Sequence, residues 1–158
     1  MKNKLFVFIA AIVFLSCHPT RKVREASDDL MAGATGMTFD VYYSKHDISK
    51  RLYQSYRKLY ENEMYMADKD KEFNSLDVRE KGLPDRRFIF GAKSISNVYE
   101  LFVYEEGGVG LKNYCIVLKR EAGDVGSVQR VYIFRRPNDI NDLKEIIAKR
   151  DYRISNSN

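Results

Sequence analysis

From Met37 to Ser44 the side chains alternate, with Met37, Phe39, Val41 and Tyr43 on one side and Thr38, Asp40, Tyr42 and Ser44 on the other. A period of two predicts a half-buried strand. Ser44 and Asp47 then form a capping arrangement, after which Ile48, Leu52, Tyr56, Leu59 and Met64 recur at helical spacing. That pattern predicts an amphipathic helix to about Asp68. Residues 68–85 turn polar, with one short helical turn expected around Phe73 to Arg79, and Gly82 and Pro84 close the connection. Four runs rich in Val, Ile, Phe and Tyr follow: Arg86–Ala92, Asn97–Glu105, Leu111–Arg120 and Ser127–Arg136. Their short Gly- and Ser-bearing connections predict an antiparallel meander. Pro137-Asn138-Asp139 opens a last helix with Ile140, Leu143, Ile146 and Ile147 as its stripe and Lys149-Arg150 at its end. A loose tail is expected from residue 153.

The order implies an α+β fold: an antiparallel sheet of four to five strands packed by one long helix and one C-terminal helix, the helices covering one face. The 158 residues suit a single domain, placed at residues 37–152. A chain 44% hydrophobic and 31% charged is neither wholly disordered, nor collagenous, nor a multi-span membrane protein. Two Cys exclude a disulfide-rich scaffold and a four-Cys zinc site.

The amino terminus carries a different signal. Lys2 and Lys4 precede eleven uninterrupted apolar residues, Leu5 to Leu15. As a helix these span ~16 Å, about half of a ~30 Å hydrocarbon core, so they suit a secretory signal better than a membrane span. The run ends in Phe14-Leu15-Ser16-Cys17. With a small residue before the Cys, this segment resembles a bacterial lipoprotein signal with a relaxed lipobox. The resemblance implies removal of residues 1–16, lipid attachment at Cys17, and an address in the bacterial cell envelope. With His18 rather than Asp after Cys17, it favours the outer membrane. An ordinary cleaved signal peptide is the alternative, but Ala32-Gly33-Ala34 lies far downstream of the apolar run. Residues 17–36 read as a lipidated tether, with Arg21, Lys22 and Arg24 near the headgroups. Removing Lys2 and Lys4 leaves 25 basic against 22 acidic residues, a charge of +3, so the basic balance of the whole chain overstates that of the mature one.

Groups suited to catalysis are few. His46 shares a cap with Ser44 and Asp47, where side chains serve backbone hydrogen bonding, and Cys115 sits inside an apolar strand. Asp68 to Glu72 fails as a calcium loop, with Phe73 and Arg79 where Gly and Glu belong. Glu105-Glu106-Gly107-Gly108-Val109-Gly110 joins two strands and lacks a P-loop ending, which favours a hairpin loop. No cofactor or metal is implied. The basic residues are more suggestive: Arg86, Arg87, Lys119, Arg120, Arg130, Arg135 and Arg136 all lie on strands or at their ends. Gathered along one sheet edge near Tyr132 and Phe134, they make an anion-binding surface for phosphates or acidic glycans. Nucleic acid is not an expected partner of an exported protein. The leading expectation is a lipid-anchored envelope protein acting as a non-catalytic binding or assembly module, held to the membrane by its lipid. Two alternatives stand beside it: an envelope hydrolase using carboxylates drawn from Asp40, Glu100, Glu105 and Asp124, and an inhibitor or immunity-type protein presenting the Glu105–Gly110 loop to another protein.

Overall fold

A computed structural model describes residues 23–26, 28–60, 64–121 and 126–155. The expected signal segment, Cys17 and Asp124 lie outside the described residues. The chain is α+β, as the pattern predicts. Its elements are β1 (Val23–Glu25), α1 (Leu30–Ala34), β2 (Phe39–Tyr42), a 3₁₀ turn (Lys45–Asp47), α2 (Lys50–Tyr60), β3 (Arg86–Ser94), β4 (Tyr99–Glu106), β5 (Lys112–Arg120), β6 (Gly126–Ile133), α3 (Ile140–Ala148) and β7 (Tyr152–Ile154).

Among the described residues the sheet has seven strands rather than four or five, in the order β1-β6-β5-β4-β3-β2, with β7 also on β6. The meander β3 to β6 and strand β2 stand where period and composition place them. The extra strands are two short edge segments, invisible to periodicity because three residues carry no pattern. They share the outer rim of β6. Strand β1 lies parallel to its first half, with Val23 opposite Gly126, and β7 lies antiparallel to its second half, with Ile133 opposite Tyr152. Such pairing covers a strand edge that otherwise presents unpaired backbone groups. Val23–Glu25 of the expected tether and residues 153–154 of the expected loose tail are thus pieces of the sheet.

Helices cover both faces, not one. Strand β4 shows why: Tyr99 to Glu105 are buried without a break, so neither face is left to water. On one face Leu101, Val103, Cys115, Val117, Val131 and Ile133 pack against Leu30 and Met31 of α1 and Leu143, Ile146 and Ile147 of α3. On the other, Phe88, Phe102, Tyr104, Ile116, Leu118 and Val128 pack against Leu52 and Tyr56 of α2, with Ile48 and Met66. Gly91 has no side chain to clash, and the ring of Tyr42 lies over it; a Cβ there would sit 2.2 Å from a ring carbon.

Helix α2 is shorter than its stripe predicts. Residues 64–68 are not helical, and Ala67 instead forms a parallel bridge to Arg87 at the margin of β3. The backbone amide of Ala67 donates to the Arg86 carbonyl at 2.8 Å, and Phe88 donates back to the Ala67 carbonyl at 2.9 Å. Met64 and Met66 still join the same core, so their apolar character marks burial, not helix. The turn expected at Phe73 to Arg79 is irregular loop. Its backbone is tied by Asn74, whose side-chain amide donates to the carbonyls of Glu80 and Leu83. Helix α3 begins as expected, with the Asp139 carboxylate accepting from the amides of Asn141 and Asp142.

Candidate anion-binding site

Alternation along β4 sends Glu100, Phe102, Tyr104 and Glu106 to the α2 face, and Leu101, Val103 and Glu105 to the α1/α3 face. Neighbouring strands add their own side chains at the same level. Arg86 stands opposite Glu106, Tyr104 opposite Tyr114, and Tyr114 opposite Tyr132. The result is a polar and aromatic cluster at the end of the sheet where β3 and β5 begin, on the face that carries α2.

At its centre Glu106 serves two guanidinium groups, with Arg130 Nη2 donating to its Oε2 at 2.7 Å and Arg86 Nε 3.4 Å from the same oxygen. Two guanidinium groups thus converge on one carboxylate. Arg86 also donates to the Tyr56 hydroxyl at 3.1 Å, tying the site to α2. Arg130 lies over Tyr114, 3.8 Å from the ring centroid, and is 5.8 Å from that of Tyr104. Such a cation–π contact contributes ~0.5–2 kcal/mol. The rings form a row, Tyr104 to Tyr114 at 5.4 Å, Tyr114 to Tyr132 at 5.6 Å and Tyr132 to Phe134 at 5.4 Å. The row runs from the core outward: Tyr104 is fully buried, Tyr114 and Tyr132 are half-buried, and Phe134 is 54% exposed. Arg153 of β7 stands 5.9 Å from the Tyr132 centroid.

The protonation states suit an anion. Burial works against the charged form of Arg86 and Arg130, but surrounding Tyr and Glu106 outweigh it, and both guanidiniums are held more firmly protonated than usual. Burial pushes the Tyr104 phenol well above its ordinary value, so it is a neutral hydroxyl with a proton to donate. Among the described residues that hydroxyl has no hydrogen-bond partner. Leaving a buried polar group unsatisfied costs ~1–3 kcal/mol, and such groups ordinarily meet a water or a ligand oxygen. The side chains of Arg86, Arg130 and Glu106 remain 14%, 17% and 26% exposed. The site is therefore partly open to solvent.

The other predicted cations do not join this cluster, so the single positive edge expected from sequence does not form. Arg87 and Arg136 belong to the opposite face, where both pair with the fully buried Glu105, at 2.7 and 3.3 Å. Arg120 lies at the other end of the sheet and donates to Glu100 at 3.0 Å. Lys119 is half-buried beside it on β5. Arg135 pairs with Asp142 at the start of α3 and lies 4.0 Å from Asp151. For Arg87, Arg120 and Arg136 the reason is the same: a carboxylate buried in the sheet demands a cation, and the strand-end arginines supply it.

The same pairing disperses the carboxylates considered for hydrolysis. Glu100 accepts from the Ser49 amide and hydroxyl as well as from Arg120, Glu105 is on the opposite face, and Asp40 is exposed on β2. Cys115 is buried, and burial pushes its thiol far up, away from nucleophilic character. The amide of His46 donates to Ser44 Oγ at 3.2 Å, within the cap. Among the described residues no three His, Cys, Asp or Glu side chains gather as a metal site.

Sequence reading named Arg86, Arg130, Tyr132 and Phe134 but missed Tyr104, Tyr114 and Glu106 as their partners. The signal was present in the register. Glu106 shares its parity with Tyr104 in a strand that is otherwise buried, and a carboxylate there requires cations from the adjacent strands. Comparison with protein-family models, curated proteins and solved structures finds no match for this chain.

Proposed function

We propose that the protein is a lipid-anchored component of a bacterial cell envelope whose domain binds an anionic ligand, without catalysis, at the Arg86–Glu106–Arg130 cluster. The anchoring rests on the lipoprotein-like segment ending at Cys17, and the binding on geometry. The single observation that carries it is the Tyr104 hydroxyl, buried and unsatisfied beside two guanidinium groups that share one carboxylate. Guanidinium groups of the kind Arg86 and Arg130 supply bind phosphate or carboxylate through charge-assisted hydrogen bonds. Tyr132 and Phe134 offer ring faces to an attached sugar, so an acidic glycan fits both halves of the surface. A phosphate group on a lipid or in solution shares the anionic half alone.

Calorimetric titration of the full chain tests this with three probes: oligogalacturonate, inorganic phosphate, and phosphatidylglycerol vesicles. The proposal expects saturable binding of oligogalacturonate that weakens with salt and falls at least tenfold in Arg130→Gln. Equal binding by wild type and variant refutes it, and preference for phosphate or vesicles redirects the ligand class.

One observation favours a second reading, that of a protein that engages another protein. The hairpin between β4 and β5 carries Val109 at 85% exposure, with Gly108 and Gly110 at φ of 125° and 80°. Leu111 beside it, and Leu76 and Val78 in the preceding loop, are exposed too. Gly107 packs on Asn74, which brings those two loops together. Co-purification from membranes with wild type but not with Val109→Asp supports this reading, and identical recovery removes it.

A further inference from the structure

We infer that the domain meets the bilayer by the end of the sheet where β6 begins, so that the arginine–tyrosine site faces away from the membrane and takes its anion from the aqueous side. The inference rests on the proposed lipid attachment at Cys17. Strand β1 fixes where the chain enters the fold: Val23 stands opposite Gly126, the first residue of β6, and β1 runs parallel to β6. Register carries that level across the sheet, since Gly126 is opposite Arg120, and the Arg120 amide donates to the Val98 carbonyl at 2.7 Å. The turn between β3 and β4, with exposed Ile95, is thus at the entry end.

The site lies at the other end. Tyr132 is six residues along β6 from Gly126, or ~20 Å at ~3.3 Å per residue. The hairpin bearing Val109 closes that same far end, between Glu106 and Lys112. The lipid cannot follow it there. From Cys17 to Val23 is six residue steps, ~22 Å at the limiting ~3.6 Å per residue. Pressing the hairpin onto the bilayer would demand that this segment run back along the whole of β6, ~23 Å from Gly126 to Ile133, and then past the hairpin. That exceeds its reach.

The ligand implied is thus an acidic glycan or phosphate-bearing polymer of the aqueous compartment, and not a headgroup of the bilayer that holds the protein.

Fluorophores on Ile95→Cys and Val109→Cys test this. Both variants are made as the full lipidated chain and reconstituted in phosphatidylethanolamine–phosphatidylglycerol vesicles containing a headgroup-attached quencher. Buried Cys115 stays unlabelled in the native fold. The expected result is quenching at position 95 at least threefold stronger than at position 109. Equal quenching, or stronger quenching at 109, overturns the orientation. Mass spectrometry of the same samples separates the two ways of failing. An acylated Cys17 with reversed quenching sinks the orientation alone, whereas an unmodified Cys17 removes the anchored reading and the orientation with it.

Discussion

Removing one oxygen from the core, by Tyr104→Phe, has opposite expected effects on stability and on binding. The hydroxyl of a buried tyrosine normally has a partner, and its loss then destabilises by ~1 kcal/mol. Tyr104 is fully buried and its hydroxyl has no partner among the described residues, so folding dehydrates the group without compensation. The ring itself keeps its neighbours, Phe102 at 5.8 Å and Tyr114 at 5.4 Å. Deleting the hydroxyl relieves ~1–3 kcal/mol of desolvation and gives back a fraction of that through the small void it leaves. The net expectation is a gain of about 1 kcal/mol in the ligand-free protein, a rise in Tm of ~2–4 °C for a chain of this size. With saturating oligogalacturonate the sign reverses in the increment: the variant gains less from ligand than wild type does, because it lacks one donor. Thermal melts followed by near-ultraviolet circular dichroism, with and without the oligosaccharide, measure both quantities. A loss of 1 kcal/mol or more in the ligand-free variant refutes the reasoning, since it means that the hydroxyl is satisfied within the fold.

Glu105→Gln should destabilise by ~2 kcal/mol in urea unfolding, because it strips the counter-charge from Arg87 and Arg136, whose partial exposure keeps the cost below the ~3–5 kcal/mol of a fully buried pair. The amide of Asn138 and the guanidinium of Arg135 hold Asp142 below the usual carboxylate value of about 3.9. A lowered pKa stabilises the fold above that value and the contribution disappears as pH falls through the folded one. Melts between pH 7 and pH 2 should therefore show a weaker acid dependence for Asp142→Asn, together with lower stability at neutral pH. Gly91→Ala places a methyl group into the Tyr42 ring and should cost at least ~2 kcal/mol in the same urea assay, with Tyr42→Ala in the double variant recovering part of it.

Much of the fold was legible because its strands repeat a simple pattern. The four meander strands and α3 announce themselves by β-branched and aromatic runs and by the Pro137-Asn138-Asp139 cap. What escaped was set by tertiary partners. Met64 and Met66 satisfy a helical stripe, yet the backbone beside them completes the margin of β3 through Ala67. Strands β1 and β7 are three residues each, and only the bare edge of β6 makes them strands. The second helical layer could have been inferred from β4, where Tyr99 to Glu105 leave no polar face except two glutamates. Those glutamates are also why the arginines divide. Glu100, Glu105 and Glu106 each draw their own cations, and the predicted edge resolves into separate clusters; the one around Glu106 combines an unsatisfied hydroxyl with exposed rings.

Recognition of an anion by Arg86 and Arg130 is the central claim, and their side-chain Nε–H resonances report on it directly. Titrating isotopically labelled full chain with oligogalacturonate should shift the Nε–H signals of Arg86 and Arg130 with a common saturation curve, while that of Arg87, on the opposite face and paired with Glu105, stays in place. Unmoved signals from Arg86 and Arg130, or a uniform drift of every arginine including Arg87, would contradict it.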